Sequence, residues 1–295
     1  MPSLVPPGFT RGPILFIGPA QSESSDTSQL QRFWTEGGSY GARILILMAG
    51  AHQAVTKPYQ HLFAAWETEW VQVINIQSRS DAQQTQHQAT IDAATAILLL
   101  EENPLRFAAL LGGTPVATAV RRANARGKVV GGVGRGGSVL CQHMLILEDH
   151  LPEPLPLINR RLAQFAPGLG IINRVLLEAD ARTNWQTDLS RLLSAVAQNP
   201  FLIGISLEPG AGAVIYPDST LEVFGEQRVL IVDGGQISYT NAYADDREQP
   251  ISLLGVQLHV LAAGYTFNLD DRNALPPANT DLPTTAVPAQ SKSPF

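Results

Sequence analysis

Gly132, Gly134 and Gly136 stand at the spacing G-x-S-x-G, directly after the apolar run Val129–Val133 and before Gly137 and Ser138. A serine in the middle of that frame sits on a sharp strand-to-helix turn, with its hydroxyl exposed for attack on a carbonyl. Here the middle residue is Gly134. The turn that would present a nucleophile is spelled out, but glycine has no group that can attack. Other residues nearby have types suited to chemistry. Ser138, one helical turn further on, is either a displaced nucleophile or a helix N-terminal residue satisfying backbone donors. Cys141 and His143 offer a thiol and an imidazole, but two residues apart on one helix they point to different faces, and a lone cysteine is more often buried filler. Glu101 and Glu102, with Asn103, follow another apolar run. Two carboxylates there either accept a guanidinium or cap the helix that starts at Pro104. Arg135 either binds a ligand carboxylate or pairs with Glu101 or Glu102 and plugs the pocket. His52, His61 and His87 are scattered without metal-ligand spacing, so neither a metal nor another cofactor is expected.

These residues need elements to position them. Short apolar runs recur at Ile14–Ile17, Arg43–Met48, Val71–Ile76, Ala96–Leu100 and Val129–Val133. They do not alternate, which is how strands buried on both faces of a parallel sheet read. Helices are expected over Ser28–Gly37, Pro58–Glu69, Gln83–Thr95, Pro104–Leu111 and Pro115–Ala125, and one more after the glycine turn, from about Ser138 to Leu147. Strand–helix alternation implies an α/β fold with a doubly wound, mostly parallel sheet and reactive groups outside the carboxyl ends of its strands. Past the prolines at 152, 154 and 156 the pattern changes. A helix over Leu189–Gln198 is followed by strand-like runs at Leu202–Leu207, Gly212–Tyr216, Leu221–Phe224, Arg228–Val232, Gln236–Thr240 and Gln257–Leu261, separated by turn signals. These form a C-terminal antiparallel extension of the same domain. The expected organisation is a Pro/Gly-rich lead at 1–11, one domain at 12–269, and a Pro/Thr/Ala-rich tail at 270–295 that is disordered on composition.

Bulk properties narrow the classes of function. The chain has 295 residues, 44 % of them hydrophobic and 16 % charged, with a formal charge of -6. That describes a globular protein with a large core and argues against nucleic-acid binding. A single cysteine allows no intrachain disulfide. The first residues lack a charged start followed by an apolar core, and no apolar run reaches the ~20 residues of a membrane span, so the cytoplasm is the expected compartment.

From Gly12 to Leu269 the chain resembles the cyanophycinases, serine peptidases that release β-aspartyl-arginine dipeptides from the storage polymer cyanophycin. The resemblance rests on Gly12–Gly18, Ile76–Ala82, Gly168-Leu169-Gly170, Arg191–Pro200, Leu202–Ile205, Tyr239-Thr240-Asn241 and Leu258–Tyr265. It implies the cyanophycinase, class I glutamine amidotransferase-like fold and a homodimer. The functional motifs depart from the family in turn. Its elbow, G-T-S-A-G-A, is Gly132-Val133-Gly134-Arg135-Gly136-Gly137 here. Its G-G-D-Q segment is Glu101-Glu102-Asn103-Pro104. Its D-Q-H-F carries the catalytic histidine shortly after G-L-G. That position falls on Asp180 or Arg182, depending on the side from which it is aligned, and no histidine occurs between His150 and His259. A triad needs a hydroxyl, an imidazole and donors for the oxyanion. The resemblance with these departures implies a pseudoenzyme that binds cyanophycin, its β-Asp-Arg dipeptide or a pathway enzyme. The alternatives are a hydrolase of β-aspartyl peptides with a relocated nucleophile such as Ser138, and a structural subunit of an active homologue.

Overall fold

The computed structural model describes residues 2–19, 23–50, 53–146, 163–179, 185–244 and 250–277. Strands β1 (Ile14–Ile17), β2 (Arg43–Ala49), β3 (Trp70–Ile76), β4 (Ala96–Leu100) and β5 (Val129–Val133) lie parallel, in the order β1-β5-β4-β2-β3. They match the apolar runs to within a residue. The physical reason is burial on both faces. Ile14 and Phe16 enter one core cluster, while Leu15 and Ile17 enter another on the opposite side. Each such side chain contributes about 1.5–3 kcal/mol on burial; the edge strand β3, largely half-buried and carrying Gln72 and Asn75, is the exception.

Helices cover both faces. On one side lie α1 (Glu23–Glu36), through Phe33, and α2 (Lys57–Ala65), through Phe63. On the other lie the one-turn α3 (Arg79–Ala82), α4 (Gln86–Ala93), α5 (Pro104–Leu111) and α6 (Pro115–Ala125), anchored by Ile91, Phe107 and Val120. The helix expected over Gln83–Thr95 is α4, with α3 lying just before that segment, and α2 stops short of Glu69. α5 and α6 start alike. Asn103 and Thr114 accept the backbone N–H groups of Arg106 and Ala117 as N-caps, and a proline follows each.

The antiparallel extension is present. β10 (Ala211–Ile215) pairs with β1, and β11 (Thr220–Gly225), β16 (Thr266–Asn268) and β17 (Asn273–Leu275) continue outward to give a nine-stranded sheet. A second, four-stranded sheet has the order β15 (Gln257–Leu261), β12 (Val229–Asp233), β9 (Ile203–Leu207), β8 (Val175–Glu178). One of its faces joins the main core through Leu177, Ile205 and Ile231; the other is covered by α7 (Trp185–Gln198) through Leu192 and Val196.

Two expectations are corrected. No helix runs from Ser138 to Leu147. Gly134–Leu140 is a 3₁₀ helix, and the chain then straightens into β6 (His143–Leu145), paired with β7 (Phe165–Pro167). Met144 and Leu145 suit a helix or a strand, and the pairing with β7 decides for the strand. Nor does order end at Leu269. β17 extends the main sheet, Arg272 pairs with the buried carboxylate of Asp233, and Asp270 pairs with Arg174. The rest of the proposed tail, from residue 278, lies outside the described residues.

Candidate functional site

β4 and β2 are neighbours, yet the helices that follow them lie on opposite faces of the sheet. Open α/β sheets bind their ligands outside the carboxyl ends of the strands at such a reversal. The glycine turn stands beside this reversal, at the end of β5. Gly134 has φ +51, the left-handed conformation expected of an elbow apex. The flanking glycines are sterically required. A Cβ on Gly132 would lie 2.6 Å from the Cα of Gly137, and one on Gly136 would lie 3.0 Å from the carbonyl oxygen of Leu99. Gly134 differs: a Cβ there would meet only the Ala179 carbonyl oxygen, at 3.5 Å. The turn thus has open space beside Gly134, while the positive φ there strains any residue other than glycine.

Glu101 lies buried at the end of β4. Its carboxylate accepts the N–H of Asn103 at 2.9 Å and the N–H of Ala49, at the end of the neighbouring β2, at 3.3 Å. Burial pushes its carboxyl above the ordinary value, with the two amides and Arg106 acting in the opposite sense. The cation among these is Arg106, at the start of α5. Of the two roles considered for this carboxylate, the structure assigns it the backbone one, tying β4 to β2 and the turn before α5. Glu102 is exposed, and Asn103 is occupied as the N-cap of α5.

Arg135 is half-buried on the turn. Its carbonyl oxygen accepts the Ser138 hydroxyl at 2.8 Å. Ser138 is thus a buried residue that satisfies a backbone acceptor, rather than the backbone donors its expected helical position suggested. Cys141 and His143 flank the start of a strand rather than sharing a helix. Cys141 is fully buried and its thiol is pushed up to about 12 by desolvation; the His143 ring packs edge-on against Phe165. Neither activates the other. Asp180 and Arg182 lie outside the described residues, but Ala179, which immediately precedes them, is the residue whose carbonyl faces Gly134.

One buried polar group escaped the sequence reading. Glu178, the last residue of β8, pairs with Arg191 of α7 at 3.2 Å, both side chains almost fully enclosed. Arg191 also donates to the Ile146 carbonyl at 2.7 Å, and the Ser206 hydroxyl donates to the Asp188 carboxylate at 3.1 Å. The signal was a charged residue on the apolar side of α7, beside Leu192. Among the described residues no cluster of histidine, cysteine and carboxylate side chains could hold a metal ion.

No family model matches the chain. A cyanophycinase of Geminocystis herdmanii is 30 % identical over 263 residues, covering 88 % of this chain and 94 % of the relative. The chain belongs to the cyanophycinase family. A cyanophycinase of Synechococcus elongatus is likewise 30 % identical, over 277 residues, covering 91 % of this chain and 84 % of the relative. The fold also resembles the crystal structure of a peptidase from an acI-B1 actinobacterium, at a TM-score of 0.59 and 16 % identity over 88 % of this chain and 98 % of that one. The chain thus shares the family's α/β scaffold. Gly134 and the segment Glu101-Glu102-Asn103-Pro104 lie at the same carboxyl edge of its sheet.

Proposed function

We propose that this chain serves cyanophycin metabolism as a binder rather than a hydrolase, engaging the polymer or its β-Asp-Arg dipeptide at the carboxyl edge of the main sheet. The observation that carries the reading is Gly134, an elbow apex in the elbow conformation with space for a side chain and none present. Removing the nucleophile of a serine peptidase costs on the order of a millionfold in rate. The absence of any histidine between His150 and His259 supports the same reading. So does the Ser138 hydroxyl, which donates to the Arg135 carbonyl.

The ligand contacts in this proposal are Glu102, exposed at the rim, and Arg135, half-buried on the turn. Glu102 would accept a guanidinium of the polymer and Arg135 an aspartyl carboxylate. Glu101 holds the two strand ends in place. The proposal includes a homodimer, as the family resemblance implies, and the cytoplasm as its compartment.

A sedimentation assay tests it. Purified protein is incubated with insoluble cyanophycin, spun down, and the supernatant assayed for β-Asp-Arg. The expected result is co-sedimentation without release, weakened by Glu102→Ala or Arg135→Ala. Release of dipeptide would overturn the non-hydrolytic reading and point to Ser138. Failure of the protein to sediment with the polymer, together with no binding of free dipeptide, would overturn the binder reading.

A further inference from the structure

A concave site lies at the opposite end of β1 from the elbow. It is a cavity of about 240 Å³, and among the residues lining it the charged ones are two arginines, Arg11 and Arg174. Its floor is apolar: Ile14, Ile171, Ile172, Ile215 and Leu269, all buried. Arg11 reaches it from the segment before β1. One guanidinium nitrogen donates to Oδ1 of Asn124 at 3.1 Å and the other to the carbonyl of Ser3 at 2.7 Å. Asn124 is itself fully buried and locked by donating to the carbonyls of Gly12 and Lys128, so the guanidinium is held in place.

Both acceptors of Arg11 are neutral. Among the described residues no carboxylate pairs with it, and burial pulls its pKa below the ordinary arginine value. Arginine nevertheless stays charged, so a half-buried cation faces a hollow with an apolar floor and, among the described residues, no counter-charge. Arg174, by contrast, is matched by Asp270, an exposed carboxylate that also accepts the Ser219 hydroxyl. The excess of positive charge is therefore on the Arg11 side. An apolar cavity on the order of 150 Å³ accepts a benzene ring, and ligand sites combine apolar walls with a few fixed polar groups.

We propose that this cavity is a binding site for a small organic monoanion, a carboxylate on a compact apolar body, with Arg11 taking the carboxylate and the isoleucine floor taking the body. The site is separate from the elbow and does not depend on the function proposed for it. The segment Ile171–Arg174 leads straight into β8, whose far end faces Gly134, so a bound ligand braces an element shared by both sites.

The full chain labelled at isoleucine methyl groups tests this by NMR, with benzoate as probe and benzamide as its neutral counterpart. Benzoate should shift the methyls of Ile14, Ile171, Ile172 and Ile215 saturably, leaving Ile46 and Ile97 unmoved. Benzamide should bind at least about tenfold more weakly, and Arg11→Gln should weaken benzoate by a similar factor. No saturable shift up to about 20 mM benzoate, equal binding of benzamide, or unchanged binding by Arg11→Gln would each overturn the proposal. Inorganic phosphate binding as well as benzoate would overturn the role of the apolar floor. If Arg11→Gln perturbs the methyl spectrum throughout, Asn173→Trp at the exposed mouth replaces it. That variant must abolish the benzoate shifts, and their persistence counts against the site.

Discussion

At the scale of single residues, three glycines of one turn have different physical duties. Gly132 and Gly136 are glycine because backbone lies where a Cβ would be; Gly134 has open space for a Cβ, and its positive φ is what disfavours one. Substitution should separate the two cases. Gly134→Ser is expected to fold, at a cost of about 1–2 kcal/mol for a side chain at positive φ, and to release no β-Asp-Arg, since the serine would still lack an imidazole. Gly132→Ala is expected to lose about 3 kcal/mol or more, because backbone cannot move aside as a side chain can. Denaturant unfolding of both variants checks the order, and dipeptide release by Gly134→Ser would refute the account of a multiply altered site. The glycine at the centre of the G-x-S-x-G frame is legible from spacing alone. The role of Glu101 was not, because its partner Ala49 is 52 residues away in sequence and adjacent only once β2 and β4 pair.

At the scale of elements, legibility followed burial. Strands enclosed on both faces, such as Ile14–Ile17, Ala96–Leu100 and Val129–Val133, have the bounds their composition suggested. Short strands whose identity depends on a distant partner were not visible. Met144 and Leu145 read equally well as helix until Phe165–Pro167 pairs with them, and β8 is only four residues long with Arg174 before it and Glu178 at its end. That last carboxylate joins the sheet to α7. Removing one member of a buried ion pair strands the other charge, which costs about 3–5 kcal/mol. Arg191→Met should therefore be strongly destabilising, while Glu178→Gln combined with Arg191→Met should recover most of the loss. Thermal unfolding of the two variants decides this; equal destabilisation would mean that Arg191 acts through packing and its bond to Ile146 instead.

At the scale of the whole molecule, the second sheet and the edge of the first are joined by charges beyond the boundary that composition suggested. Arg272, next to β17, pairs with Asp233 at the end of β12 and donates to the Phe201 carbonyl at 2.8 Å. Truncation after Leu269 removes β17, Asp270 and Arg272 together, leaving the buried Asp233 without its cation. The expected loss is about 3 kcal/mol, measured as a lower unfolding midpoint than that of the full chain; an unchanged midpoint would restore the earlier boundary. Composition could not place it, because the short β17 is defined by its neighbour β16 rather than by its own residues.

The enclosure of Cys141 has a practical consequence. It is the chain's single cysteine, fully buried and held as the neutral thiol at neutral pH. The native protein should thus be inert to maleimides, and a cysteine substituted at Asn173 or Glu102, both exposed, would be the one site to take a fluorophore. The unmodified chain is already a background for optical titration of either end of the sheet, with no endogenous thiol to remove first.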